Sequence, residues 1–254
     1  MKFAIKKICL LTALLAMILT GSALADDLPG VQDVIDTFIK ATGGKDAYLA
    51  HESMMVTGTF EMPVMGLTAP LVMYQAMPDL TYLKIESAAI GTIENGSIDG
   101  VFWEKSLMGG ARIKDGEEKA SAERTANLRL WLEWEKYYTG GEVTGIEEIE
   151  GRPCYAMTMT PKEGQPEYSW WDTETGLLVK NAAVVTNEMG DVSIDAYPSD
   201  YRDVGGVMVA HTVKQVLMGV QEMFIKTETM TWDPEIPEGT FDIPADIKAL
   251  LEAK

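Results

Sequence analysis

The chain has 254 residues, of which 46% are hydrophobic, 21 are basic and 39 are acidic, and its formal net charge is −18. This length is typical of one large globular domain or of two small ones. The negative charge disfavours binding to nucleic acid and to anionic lipid headgroups, because like charges repel and no basic stripe is available to follow phosphates.

The first 25 residues have the composition of a Sec-type export signal. Three of the first seven residues are lysines, an apolar run extends from Ile8 to Leu19, and Ser22-Ala23-Leu24-Ala25 offers small residues to a signal peptidase. We therefore expect cleavage after Ala25 and export to the periplasm. Removing this segment with its three lysines would leave 229 residues and move the net charge from −18 to −21. Because no linker-like stretch interrupts the rest, we expect a single domain over residues 26–254.

The two cysteines limit anchoring and cross-linking. Cys9 precedes most of the apolar run, so it cannot be the lipidated residue of a lipoprotein cleavage site. The run itself is shorter than the roughly 20 residues that cross a bilayer, so we expect no stable membrane anchor. Cys154 alone would remain after cleavage, which excludes an intramolecular disulfide, and its apolar, strand-like surroundings predict a buried, unreactive thiol.

The mature sequence opens with an amphipathic helix. Apolar residues recur at helical spacing from Val31 to Ala41, while Asp33, Asp36 and Lys40 occupy the opposite face. Gly43-Gly44 then predicts the end of the helix, because glycine accepts the left-handed conformation of a C-terminal cap.

A two-residue alternation of apolar and polar side chains follows this helix and predicts antiparallel strands. Asp99-Gly100 and Glu150-Gly151 are typical of tight hairpin turns, since both dipeptides tolerate positive φ angles. We count roughly ten strands. The segments are Met55–Met62, Leu67–Tyr74, Thr81–Glu86, Ser97–Lys105, Val143–Ile149, Cys154–Thr160, Tyr168–Trp171, Leu177–Thr186, Val192–Tyr201, Val207–Leu217 and Met223–Trp232.

Two further helices are predicted from changes in this pattern. Between Gly116 and Thr139 the alternation disappears, and one helical sector collects the apolar residues Leu128, Trp131, Leu132, Trp134 and Tyr138. A short terminal segment, Ala245 to Ala253, has apolar residues on one side and predicts a marginal helix.

Little in the sequence points to catalysis. After Ala25 the chain has His51, His211 and one cysteine, so the usual zinc ligand sets are missing, and no nucleophile elbow or phosphate-binding glycine loop occurs. We therefore expect no metal, no cofactor and no enzymatic activity. A hydrolase that uses an acidic pair stays open as a weak alternative, because 39 acidic residues make a close pair common in any fold.

Methionine is the distinctive residue type. Fourteen of the 16 methionines follow Ala25, and most fall on strand-like segments. Unbranched thioether side chains fill irregular space and repack around ligands of variable shape, which suits a site for acyl chains. Each one could equally be an ordinary core residue.

A series of short motifs extends along nearly all of the mature chain. The motifs are Ala41-Thr42-Gly43-Gly44, Gly58-Thr59-Phe60-Glu61-Met62, Gly96-Ser97-Ile98-Asp99-Gly100, Glu150-Gly151-Arg152-Pro153-Cys154-Tyr155, Trp171-Asp172-Thr173-Glu174-Thr175-Gly176, Asp200-Tyr201-Arg202, Trp232-Asp233-Pro234 and Phe241-Asp242-Ile243-Pro244. Each motif alone is a helix end, a hairpin or a strand end, and the specificity lies in their order. This order resembles that of the LolA/LolB-like superfamily, whose members are commonly labelled outer-membrane lipoprotein-sorting proteins.

This resemblance implies an α+β fold that is mostly β, a curved and incomplete antiparallel β-barrel covered by helices around an apolar cavity. It also implies a non-catalytic carrier that shields lipoprotein acyl chains or another lipid in the periplasm. We expect the cavity to be lined from two strand pairs and from the covering helix. The candidates are Phe60, Met62, Leu71, Met73, Trp131, Trp134, Tyr155, Met157 and Met159.

A second hypothesis uses the same fold with a closed core. In that case the protein would sense lipids or bind a protein partner of the envelope through its acidic surface.

Overall fold

A single antiparallel sheet of 13 strands organises the computed structural model, which describes residues 28–107, 109–187 and 190–253. The predicted export signal and its cleavage site lie outside these residues. The strands are β1 Ser53–Met62, β2 Leu67–Ala76, β3 Leu80–Ser87, β4 Gly91–Ile98, β5 Val101–Ser106, β6 Gly110–Ile113, β7 Tyr138–Ile149, β8 Arg152–Pro161, β9 Glu167–Asp172, β10 Leu178–Asn187, β11 Gly190–Val204, β12 Val207–Leu217 and β13 Gln221–Trp232.

Four helices accompany the sheet in the described residues. They are α1 Val31–Ala41, α2 Lys45–Leu49, α3 Gly116–Ala126 and α4 Ala245–Glu252. The predicted first and last helices are confirmed, whereas the five-residue α2 was not predicted. The structure also confirms the mostly β class, with 13 strands in place of roughly ten. The additional strand β6 has only four residues, which is too short for an alternation to be recognised.

The strand order shows how the two halves of the chain meet. It runs β6-β5-β4-β3-β2-β1-β13-β12-β11-β10-β9-β8-β7, so each half is a meander and the β1–β13 pair joins them. β6 and β7 form the two edges of the sheet and do not pair with each other. The predicted incomplete barrel is therefore confirmed as an open sheet.

Helix α3 demonstrates the curvature of this sheet. It contacts both β5 and β10, which are eight positions apart in the strand order. In a flat sheet this separation would be about 38 Å, whereas a helix is only about 10 Å wide. The sheet must therefore bend around α3, and we call the face that α3 touches the inner face.

The register places the apolar clusters of both halves on this inner face. Paired residues of a ladder project to the same side, and Phe60 pairs with Ile225, which pairs with Val213 and then with Pro198. Ala196 lies two residues before Pro198 on β11, so both side chains project to the same side of the sheet. Ala196 pairs with Asn181, which pairs with Ser169, which in turn pairs with Met157. Phe60 and Met157 therefore project to the same side of the sheet.

Two hydrophobic clusters fill parts of the inner face. The first packs α1 against β7, β8 and β9, and Phe38 meets Trp171 edge to face at 5.0 Å. The second joins β1, β2 and β3 around Val56, Phe60 and Leu71. The clusters give each half of the sheet its own core.

The helix predicted between Gly116 and Thr139 is present as α3, but the apolar sector from Leu128 to Tyr138 is not α-helical. Helix α3 ends at Ala126, because the Asn127 side chain accepts a hydrogen bond from the Arg129 N–H and donates to Glu133 and Tyr137. Two 3₁₀ turns follow, at Leu130–Leu132 and Trp134–Lys136, and β7 begins at Tyr138. Trp131 still packs on the first cluster. The sequence pattern therefore identified the buried side chain correctly, although it predicted the wrong backbone conformation for this segment.

The two adjacent glycines at the end of α1 should differ in how much their substitution destabilises the protein. Gly43 and Gly44 both have positive φ, but an added Cβ at Gly43 would lie 2.0 Å from the Gly206 carbonyl oxygen, whereas one at Gly44 would meet nothing within 4 Å. Gly44→Ala should therefore lower the free energy of unfolding by roughly 1–3 kcal/mol through strain alone. Gly43→Ala should lower it further through the clash with the β11–β12 turn. Urea denaturation measures both variants, and equal losses would contradict the close contact.

Candidate functional site

Helix α3 divides the space inside the curved sheet. Its exposed and half-buried positions include the small residues Ser121, Ala122 and Thr125. Ser121 and Thr125 line a cavity on each side of the helix. One helical turn with short side chains thus separates two hollow regions.

The larger hollow is an open cleft of about 570 Å³ between α3 and the strands β10 to β13. This volume lies in the range of roughly 300–1,000 Å³ that is common for small-molecule sites. One wall is apolar and comes from neighbouring strands and the β12–β13 turn. Its residues are Val185, Val192, Ile194, Leu217, Met218 and Val220.

The opposite wall of the cleft is charged but internally paired. Arg112 donates through Nε to Glu104 at 2.7 Å and through both terminal nitrogens to Glu118 at 2.5 Å. Lys114 lies 3.6 Å from Glu104. Burial acts to raise the pKa of Glu118, but the hydrogen bonds from Arg112 and the charge of Lys114 hold that pKa below its ordinary value. Two cations and two carboxylates therefore balance one another along this wall.

The smaller hollow, of about 170 Å³, lies on the other side of α3 and is lined by three polar side chains that contact one another, of which Arg124 and Tyr138 are buried and Glu167 is half-buried. Arg124 is 5% exposed and donates to Glu167 at 2.5 Å, and the Tyr138 hydroxyl donates to the second Glu167 oxygen at 2.6 Å. Burial and the adjacent Glu167 raise the pKa of Tyr138 far above its ordinary value, so the phenol stays protonated. The triad fastens α3 to β7 and β9.

Gln75 provides a second attachment for α3. Its amide nitrogen donates to the carbonyl oxygens of Thr125 at 3.1 Å and Ala126 at 2.6 Å, where the helix ends. Gln75 lies on β2, so α3 is tied to both halves of the sheet. Carbonyl groups at a helix end need such partners when they are buried.

The nine sequence-predicted cavity residues fall into the two clusters. Phe60, Met62, Leu71 and Met73 belong to the β1–β3 cluster. Trp131, Trp134, Tyr155, Met157 and Met159 belong to the cluster under α1. Trp131 and Met159 also line the smaller hollow, and none of the nine lines the 570 Å³ cleft. Their role in ligand binding stays a prediction.

Sequence reasoning did not identify the residues of the large cleft. Val185, Val192, Ile194 and Leu217 were assigned to strands, and the register now brings Val185 opposite Val192 and Ile194 opposite Leu217. The signal available in the sequence was the alternation of Val192 and Ile194 with Asp191, Ser193 and Asp195. It showed that these two residues share a face, but it did not show that a gap lies between that face and α3.

Other reactive groups are engaged in structural contacts. Cys154 is fully buried, as predicted, and burial together with the charge of Asp172 raises the pKa of its thiol. His51 contacts Asp233 at 2.8 Å through Nδ1, approaches the Gly205 carbonyl oxygen at 3.4 Å through Nε2 and stacks on Trp232. Within residues 28–107, 109–187 and 190–253, no group of three or more metal-binding side chains comes together.

None of the helices in the described part of the chain has the length and apolar character needed to cross a bilayer.

Comparison with solved structures decides the fold. A DUF1329 family protein from Desulfovibrio piger has a TM-score of 0.57 and 13% identity, over 85% of this chain and 98% of its own. A domain from Vibrio parahaemolyticus that is described as outer membrane lipoprotein-sorting has a TM-score of 0.54 and 12% identity, over 88% and 98%. A LolA superfamily protein from Nitrosomonas europaea has a TM-score of 0.56 and 11% identity, over 85% and 99%. This chain has a LolA-like fold.

The likeness is one of structure and not of sequence. No family model and no curated protein sequence matches the chain. A shared fold does not fix a function, so the function must be inferred from the cleft itself.

The contribution of the Arg124–Glu167 pair to the stability of the protein can be measured with a double-mutant cycle. Glu167→Met should lower the free energy of unfolding by roughly 3 kcal/mol, because it leaves the buried charge of Arg124 without its partner. Arg124→Met should lower it by less, because the Glu167 side chain is 24% exposed and keeps the hydrogen bond from Tyr138. The double variant should lose clearly less than the sum, since no charge then remains unpaired.

An exposed ion pair on the same helix provides the control. Lys119 and Glu123 lie 3.4 Å apart with side chains about two-fifths exposed, and Lys119→Met with Glu123→Met should change the free energy of unfolding by less than about 0.5 kcal/mol. Additive losses at Arg124 and Glu167 in urea denaturation would show that the pair does not act as a unit.

Proposed function

We propose that this protein is a non-catalytic binding protein that shields an acyl chain, from a lipoprotein or a free lipid, during transfer through the periplasm. The observation that carries the proposal is the 570 Å³ cleft, with its apolar wall on the inner face of an open sheet. Four apolar side chains from adjacent strands and two from the β12–β13 turn form the wall, and the charges across from them are already paired. A hydrocarbon chain is the ligand that such a wall accommodates.

The transfer energetics are adequate for reversible binding. Burial of one methylene contributes about 0.8 kcal/mol, so about ten methylenes would contribute roughly 8 kcal/mol, the free energy of a micromolar complex. Losses of translational and conformational freedom reduce this value. The resulting affinity is strong enough to protect the chain from water and weak enough to release it.

Helix α3 offers a means to adjust the size of the site. Because Ser121 and Thr125 line both hollows, a displacement of α3 would join the 170 Å³ and 570 Å³ spaces. The Arg124–Glu167 pair and the Gln75 hydrogen bonds hold the helix in its present position. A longer or second chain could be admitted at the cost of these few polar contacts.

The comparisons support the class of cargo. A domain described as outer membrane lipoprotein-sorting and a LolA superfamily protein share the fold over most of both chains. A periplasmic location, as the first 25 residues predict, would place the protein where such cargo must cross water.

The cleft can be tested with two adjacent valines of β10. Val185 lines the cleft, and Val184 points to the other face because side chains alternate along a strand. Val185→Trp should weaken the binding of a fluorescent fatty acid at least tenfold by filling the cleft. Val184→Trp should leave the affinity within about twofold, and thermal unfolding checks that both variants fold.

The cargo itself can be identified by native mass spectrometry and lipid extraction of the wild-type protein after expression in a diderm host. We expect a co-purified lipid or lipoprotein whose occupancy falls in Val185→Trp. A lipid-free wild-type protein that also ignores fluorescent fatty acids would overturn the proposal.

A second candidate function is an envelope interaction module with a closed core. Complete burial of Met157, Met159 and Trp171 favours it, because that part of the inner face is already filled. This module would show no lipid and no fatty-acid binding, and crosslinking in cells would recover one stoichiometric protein partner.

A further inference from the structure

Part of one end of the sheet differs sharply from the other end in the chemistry of its turns. In an antiparallel meander alternate turns share an end, and β13 runs opposite to β1. The turns β1–β2, β3–β4, β5–β6, β8–β9, β10–β11 and β12–β13 therefore lie at the same end, where the β8–β9 turn carries the charged Lys162 and Glu163. The turns β2–β3, β4–β5, β7–β8, β9–β10 and β11–β12 lie at the opposite end.

Large apolar side chains are exposed where the turns β1–β2, β3–β4, β5–β6 and β12–β13 join the neighbouring strands β1 to β6, β12 and β13. Val64 is 85% exposed, Met65 60%, Leu107 77%, Met218 63% and Val220 80%. Eleven large apolar residues are exposed in the part of the chain that the structure describes, and these five all belong to turns of one end. We call the described residues of these turns, 63–66, 88–90, 107, 109 and 218–220, the apolar rim.

The apolar rim contains no charged residue, although the chain as a whole carries −18. Exposed Ala88 and Ala89 and half-buried Ile90 continue the same character at the β3–β4 turn. The turns at the opposite end contain Asp79, Asp99, Glu150 and Glu174, together with glycines. None of the eleven exposed apolar residues lies in those turns.

We infer that the apolar rim docks reversibly on the surface of an uncharged, zwitterionic lipid bilayer. Its side chains stand on separate short turns that project from the ends of strands, so they can enter the boundary between headgroups and acyl chains side by side. The described rim has none of the Trp, Tyr and Arg anchors that dominate protein interfaces. Because the rim is neutral and the chain is acidic, attachment to anionic lipid would be opposed and attachment to neutral lipid would not.

The rim is continuous with the large cleft. Met218 and Val220 belong to both, so docking would place the mouth of the cleft against the bilayer. An acyl chain could then pass between membrane and cleft without crossing water. This last step rests on the proposed function, whereas the docking itself does not.

The test measures flotation of the protein with phosphatidylcholine vesicles. We expect wild-type binding that stays the same between about 50 and 500 mM salt, because no charge pair is involved. Each apolar side chain replaced by a carboxylate should lower partitioning about tenfold, so Val64→Asp with Leu107→Asp, two rim residues that do not line the cleft, should lower it about a hundredfold. Both residues are exposed, and thermal unfolding confirms that the variant folds.

A matched control removes two exposed leucines elsewhere. Leu49 is 44% exposed on α2 and Leu251 37% exposed on α4. Leu49→Asp with Leu251→Asp makes the same change of charge at side chains about half as exposed as those of the rim variant, and it should bind vesicles within twofold of wild type. Equal losses in both double variants would overturn the assignment of the rim.

Other occupants of the rim give different results. A second copy of the chain would appear as a dimer in sedimentation velocity that the rim variant abolishes, and this result would overturn the inference. A wild-type protein that does not bind neutral vesicles, or that binds only anionic ones, would also overturn it.

Membrane docking and fatty-acid binding can be tested independently of each other. Val185→Trp should lose fatty-acid binding and keep vesicle binding, whereas the rim variant should do the reverse.

Discussion

The pairing of β1 with β13 joins the two halves of the chain into one sheet, and both hollows depend on it. Its register shifts between Thr57 and Gly58, where the strands come so close that an added Cβ at Gly58 would lie 2.0 Å from the Lys226 carbonyl oxygen. Such an irregularity bends and twists the paired strands. Without this contact each meander would keep its own apolar cluster, but no continuous inner face would exist to surround α3.

Helix α3 explains why space remains inside the curve. A helix with large apolar side chains would fill the interior, as α1 does over β7 to β9. Alanine, serine and threonine instead leave room on both flanks, and the helix is held by polar groups at its end. The interior therefore combines two filled regions with a gap between them, which is an arrangement suited to an adjustable ligand.

Periodicity and turn chemistry allowed much of this fold to be predicted. Helix α1 and the hairpins at Asp99-Gly100 and Glu150-Gly151 depend on local rules, and these four turn residues all adopt positive φ. The segment after Ala126 was misjudged, because the side-chain hydrogen bonds of Asn127 ended a helix that the apolar spacing appeared to continue. The candidate site was harder to predict from the sequence than the fold. Alternation identifies an apolar face for Met157 and Val192 alike, and only the tertiary structure shows that Met157 is covered by α1 while Val192 faces a gap.

The two free edges of the sheet bear on how the protein avoids sticking to itself. An unpaired strand exposes N–H and C=O groups that can recruit another chain. Strand β6 offers only four residues and lies beside α4. Strand β7 is longer, but its register is broken at two places and it carries Glu142, Glu147 and Glu148. The register breaks and the like charges disfavour pairing with β7 of a second molecule. The sheet can therefore remain open at this edge without the molecules assembling into fibrils.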